Sequence, residues 1–220
     1  VEYPTGYRFH HALIRQTVER GIGPVRRHLL HRRAARTLER INPQAHGRMA
    51  RHFELGGEPT KALDHYRRAA EQAEDLFAWQ EAESIQGRML ALLDQLDPAY
   101  ADPEKRALRG EILTSRAHLR FLQGRLEDRD ADLADLADLA ESSDDDELRL
   151  LAALHRVRYL NLGGRYENAI ARGERDLALA RRMGDAEAES RLLAHIGFAH
   201  YFLGQPQAAL VALGSAVDVS

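Results

Sequence analysis

Eleven histidines, and a set of cations that is almost entirely arginine, are the residues of this chain with the most obvious chemistry. His10, His11, His28, His31, His46 and His52 crowd its first quarter, and imidazole is a common zinc ligand. His28 and His31 stand at i, i+3 and share a helix face. Yet no H-E-x-x-H occurs and no carboxylate completes a ligand set, so these rings read as partly buried or solvated, without a metal. Arg26, Arg27, Arg32, Arg33, Arg36 and Arg40 form a basic helix. Such a face attracts nucleic-acid phosphates in one reading. In the preferred one it is solvated, or docks an acidic neighbour. The run ADLADLADLAE (131–141) carries an aspartate at every third position but lacks the central glycine of a calcium loop. It predicts a helix with Leu133, Leu136 and Leu139 or Ala140 inward and the aspartates in water. Serines are few, none sits in a nucleophile-elbow pattern, and G-x-x-x-x-G-K-[ST] is missing. A non-enzyme without a cofactor of its own is the expectation.

Aromatics give a different kind of candidate. Tyr66, Phe77 and Trp79 fall near one predicted hairpin, and Tyr159, Tyr166, Phe198, Tyr201 and Phe202 near the last two. At helical spacing these are core residues by default, but on the first helix of a pair they can anchor a ligand or peptide. The expected binding wall is Arg116, Arg120, Arg156, Tyr159, His195 and His200.

Composition narrows the class. The chain has 220 residues, 44% hydrophobic and 30% charged, with a net charge of −3, which suits a folded and soluble protein. No apolar run approaches the roughly 20 residues that span a bilayer, and no secretory signal is present. Cysteine is absent, so disulfides and thiolate metal sites are excluded and a cytoplasmic location is the default. Charge is unevenly spread: residues 1–60 hold eleven Arg against five Glu, while 124–147 hold eleven acids against two Arg. Such asymmetry sets which face meets a partner. A start at Val1 and a stop at Ser220, partway through a helix pattern, predict a piece of a longer protein.

The positioning elements come from periodicity. Apolar spacing predicts helices at about 10–20, 25–41, 44–55, 59–73 and 78–96. The stripe Val25, Leu29, Leu30, Ala34, Leu38 and Ile41 is expected to pack the second of these. Two prolines in 97–103 mark a break. Helix pairs follow at 104–122 with 125–141, 146–162 with 165–182, and 186–203 with 205–219. Gly57, Gly124, Gly164 and Gly204 stand between helices, the last three 40 residues apart. A glycine there ends a helix in the left-handed region at low steric cost. Five residues later come Ala62, Arg129, Ala169 and Ala209, where a small side chain lets helices approach; Arg129 departs from the rule and is expected to weaken its unit. A fixed period of this size with a turn glycine indicates stacked helical hairpins.

From about residue 44 to 220 the pattern resembles the tetratricopeptide repeat family, most clearly in GGEPTKALDHYRRAA, GGRYENAIARGERDLALARRMGD and HIGFAHYFLGQPQAALVALGSAV. The longer period is similar to repeats of the maltose-regulator type, with Asp176 where those place a small residue. YRFHHALIRQTVERGIGPVRRHLLHRRAARTLE, followed by ARHFELGGEPTKALDHYRRAAEQA, resembles a junction in bacterial STAND-type signalling ATPases, LuxR-type activators among them. The resemblance implies an all-α, right-handed superhelical solenoid of antiparallel hairpins. It also implies four segments: the tail of a winged-helix-like domain (1–23), an N-terminal helical repeat region (24–96), the break (97–103) and regular repeats (104–220). The implied function is a non-catalytic sensor arm of an ATP-dependent transcriptional regulator, receiving an inducer, protein or peptide on its concave face. ATP belongs to an upstream module, itself a partner. Two alternatives stay open: a free-standing adaptor gripping a peptide segment, and nucleic-acid binding through the 26–40 arginine face. An exposed terminal repeat would also permit homo-oligomers.

Overall fold

The computed structural model describes residues 2–3, 6–7, 17, 21–99 and 101–219. The helix expected at 10–20, with His10, His11 and its apolar face, lies almost wholly outside the described residues. Near the N-terminus Glu2–Tyr3 (β1) pairs antiparallel with Gly6–Tyr7 (β2). From Pro24 onward the chain is helical: α1 (Pro24–Ile41), α2 (His46–Leu55), α3 (Pro59–Asp75) and α4 (Trp79–Leu96). Then come α5 (Pro103–Leu122), α6 (Leu126–Ser142), α7 (Asp146–Leu162), α8 (Tyr166–Met183), α9 (Ala186–Phe202) and α10 (Pro206–Val219). The fold is all-α.

The helices gather into two compact units, Val1–Leu96 and Asp97–Ser220. Within the first, α1 packs on α2, α2 on α3, and α3 on α4. Within the second each helix again packs on the next, and two further contacts appear, α5 with α7 and α7 with α9. The odd-numbered helices of this unit therefore meet one another directly.

Local chemistry explains the boundaries. Gly57, Gly124, Gly164 and Gly204 have φ of +71° or +72°, the region an L side chain enters only at a cost. Each turn closes the same way: the N–H after the glycine donates to the carbonyl five residues back, from Glu58 to Phe53, Arg125 to Arg120, Arg165 to Leu160 and Gln205 to His200. The α3–α4 turn closes identically, from Ala78 to Ala73, but with Phe77 in the glycine's place at φ +57°. At the other ends, Asp102, Asp145 and Asp185 accept from backbone N–H groups two or three residues on, capping α5, α7 and α9.

The core is built on small residues at helix crossings. Ala50, Ala62, Ala117 and Ala169 are fully buried. At Gly173 a Cβ would lie 2.7 Å from Ile196 Cγ1, so α8 and α9 touch through a bare backbone. Val157, larger than its counterparts, is also fully buried.

Two expectations need correction. Of the stripe predicted on α1, Val25, Leu29, Leu30 and Ile41 are exposed, Ala34 is half-buried and Leu38 is buried, next to a buried Ala35 that the stripe did not include. Among the described elements α1 packs chiefly on α2, so its contact line is narrower than its apolar pattern. Arg129 was expected to weaken its repeat. Instead its side chain is buried, with the guanidinium 5.0 Å from the Tyr159 ring and an ion pair to Asp130 at 2.7 Å. A stacked guanidinium fills the place of a small residue.

Candidate functional site

The α5–α7–α9 contact brings together most of the residues expected on a binding wall, but in distinct roles. Asp132 on α6 is 1% exposed and faces back onto α5. Arg116 Nε donates to it at 3.0 Å, and Arg120 Nη1 lies 2.8 Å from its other oxygen while also donating to the Asp128 carbonyl. Burial pushes the Asp132 carboxyl up, opposed by the hydrogen bond from Arg116 and the charges of both arginines. The aspartates of 131–141 were expected in water, and Asp132 is the correction. Two guanidiniums on the neighbouring helix compensate a carboxylate that the local pattern alone would have turned outward.

Arg116 and Arg120 are therefore held internally, not free anchors. Tyr159, expected to be an accessible aromatic, is 2% exposed, its ring 5.6 Å from Phe121 and under the guanidinium of Arg129. Its buried hydroxyl has no hydrogen-bond partner. Arg156 is half-buried on α7. His200, at the end of α9, has Nδ1 2.7 Å from Gln205 Oε1 across the turn.

The same three helices carry a second cluster, of which the sequence pointed only to His195. His118 on α5, His155 and Arg158 on α7, and Arg191 and His195 on α9 act on one another. Burial and the Arg158 charge lower His118 below the usual imidazole range. Burial first, then Arg158, Arg191, His118 and His195, push His155 down to about 4. Burial with Arg191 and Arg158 lowers His195. The leading charged neighbours acting on these three rings are arginines and histidines. The Nδ1 atoms of His118 and His155 are buried without a partner, as is Asn161 Oδ1, whose amide nitrogen donates to the His195 carbonyl at 2.9 Å. Arg191 also borders a cleft of about 440 Å³ lined by Leu150, Leu151, Leu154 and Met183, with Glu147, Asp185 and Glu187. The sequence held a signal for this cluster. His155 and His195 are 40 residues apart, as are His118 and Arg158, so each pair occupies one repeat position.

Elsewhere the candidates disperse. Arg32 Nε donates to the Gly56 carbonyl at 2.7 Å and lies 3.3 Å from Glu58, to which Arg36 also reaches at 3.8 Å. Arg27 donates to the Ile22 carbonyl, while Arg26, Arg33 and Arg40 are exposed. Of the six, Arg32 and Arg36 meet a carboxylate. His31 Nδ1 lies 2.9 Å from His52 Nδ1, and His46 Nδ1 lies 3.1 Å from His65 Nδ1. His28 is exposed. Among the described residues no group of three His, Asp or Glu side chains is arranged to hold a metal ion. Nor is any described helix long and apolar enough to cross a membrane. Tyr166 stacks on Phe202 at 5.3 Å, and Phe198 and Tyr201 adjoin the same ring, all on the turn-side ends of α8 and α9.

No protein-family model matches the chain, and no curated protein matches it in sequence.

Proposed function

We propose that this chain is a non-catalytic helical-repeat arm of the tetratricopeptide type that receives a ligand or partner on the wall made by α5, α7 and α9. The arm belongs to a larger bacterial regulator of the STAND type, in which loading this wall relieves inhibition of an ATPase module. The observation that carries the reading is the pattern of helix contacts. In Asp97–Ser220 the first helices of successive hairpins touch each other, whereas the contacts of α6, α8 and α10 are with helices adjacent in sequence. We read this pattern as that of stacked hairpins whose first helices line the inner side of a right-handed superhelical array. The recurring glycine turn supports it, because each repeat ends with the same left-handed residue and the same closing hydrogen bond.

Charge reversal separates the wall from the outer helices. Partner or inducer capture should be abolished by Arg156→Glu or Arg158→Glu and unchanged by Asp135→Arg on α6 or Glu174→Arg on α8. The opposite ranking, read by pull-down from the source cytoplasm with and without nucleotide, overturns the assignment. The nucleic-acid alternative loses ground because Arg32 and Arg36 already meet Glu58.

A further inference from the structure

We infer that the α5–α7–α9 wall holds the dianionic head of a small molecule, a phosphate monoester or a dicarboxylate, between Arg158 and Arg191, with His118, His155 and His195 around it. The inference rests on the reading of this wall as the receiving face and names the chemistry that it receives.

Three observations converge. Arg158 and Arg191 supply two permanent positive charges. No acidic side chain lies within ion-pair distance of Arg158 among the described residues, its close aromatic neighbour being the Tyr159 ring at 5.7 Å. Arg191 reaches Glu187 at 3.8 Å, and Glu187 is 84% exposed, so that pair is weak. Secondly, two buried ring nitrogens of the cluster have no partner: Nδ1 of His118 and Nδ1 of His155. Leaving such groups unpaired is costly, and their concentration on one wall marks a place prepared for a ligand. Thirdly, one member of the cluster, Arg191, borders a cleft of about 440 Å³. Glu147, Asp185 and Glu187 line that cleft, so the anionic head belongs with Arg158 and the histidines. The apolar wall of Leu150, Leu151, Leu154 and Met183 takes the uncharged body.

A small head group fits better than a polymer. Arg158 and the three histidines are each half-buried, beyond the reach of an extended phosphate backbone. Binding is proton-linked, and the leading charged groups acting on His155 set the same sign: Arg158 on α7, Arg191 on α9, His118 on α5 and His195 on α9. All are cationic or become so on protonation, and each holds the ring neutral in the empty site. A dianion reverses that field, so binding takes up protons and strengthens as pH falls.

The test is a titration of the histidine Cε1–Hε1 signals of the full chain with phenyl phosphate and, separately, with succinate, between pH 6 and pH 8. At least one probe should raise the apparent pKa of His155 saturably, with a Kd several-fold tighter at pH 6 than at pH 8. Arg158→Gln should weaken that Kd by about tenfold or more, and Arg158→Lys by less, both variants keeping the wild-type circular-dichroism melt. If Arg158→Gln does not fold, Arg191→Gln on the exposed rim gives the same comparison. A response to phenyl phosphate alone assigns a phosphoryl head, and to succinate alone a dicarboxylate. No saturable shift from either probe up to about 10 mM, or binding that weakens as pH falls, overturns the inference. If the titrations fail while Arg156→Glu still abolishes partner capture, the anion is wrong and the wall stands; if capture is also indifferent to wall charge, both fall.

Discussion

Inside Val1–Leu96, carboxylates sit among the cations and polar rings. Tyr66 donates to Glu54 at 2.7 Å and Arg88 pairs with the same carboxylate, while Arg32, Arg36 and Lys61 gather on Glu58. Its histidines pair with one another, and His65 also lies 3.7 Å from Glu39. Inside Asp97–Ser220, Asp132 compensates Arg116 and Arg120, but on the same helices the leading charges on three histidines are Arg158, Arg191 and one another. Both units use the same helical hairpins, so the hairpin does not dictate this difference. A compensated polar group holds architecture together; an uncompensated one is retained where something else completes it.

That contrast can be broken in order of effect. Asp132→Ala should cost about 3–5 kcal/mol in denaturant unfolding, because it strands two half-buried guanidiniums. The matching change in the first unit, Glu54→Ala, should cost only about 1–3 kcal/mol: it orphans the buried Tyr66 hydroxyl, but Arg88 is largely exposed and returns to water. Equal costs would mean that the two units do not differ in how deeply charge is enclosed. Gly173→Ala pushes a methyl into Ile196 and should cost roughly 1–3 kcal/mol, without altering the charge of either unit.

Acid provides a finer probe. His155 stands near 4 when folded against an ordinary 6.5, so the unfolded chain binds more protons between those values. Stability is therefore full above pH 6.5 and falls as pH drops from 6.5 toward 4. His155→Gln should flatten that limb by on the order of 2 kcal/mol, and a saturating dianion, by raising the folded His155 pKa toward 6.5, should flatten it in the wild-type chain as well. The smallest effect concerns Phe77, 74% exposed in the left-handed region. Phe77→Gly should stabilise the chain by about 1 kcal/mol, read as a raised midpoint with unchanged m-value.

Periodicity in the sequence located the helices because turn glycines, prolines and capping aspartates act within a few residues of themselves. The α3–α4 turn shows the limit, since Phe77 occupies a glycine's conformation that no composition rule announces. The site was legible only in part. Arg116, Arg120, Arg156, Tyr159, His195 and His200 do fall on α5, α7 and α9. Which of them a ligand can reach depends on Asp132, a residue of α6 whose inward turn follows from its pairing across helices. His118, His155, Arg158 and Arg191 were missed because each alone looks like an ordinary helix-surface residue. Their recurrence at the repeat spacing was the available sign. The exposed stripe of α1 errs in the opposite direction: an apolar pattern names a surface able to pack, and the neighbours decide whether it does.

The most direct measurement is the pH titration of the assigned histidine imidazoles in the ligand-free chain. The account predicts His118 and His195 below the ordinary 6.5 and His155 lowest, near 4. A His155 value at or above 6.5 would mean that an acid compensates the cluster, and the wall would then carry no unmet charge for a ligand to complete.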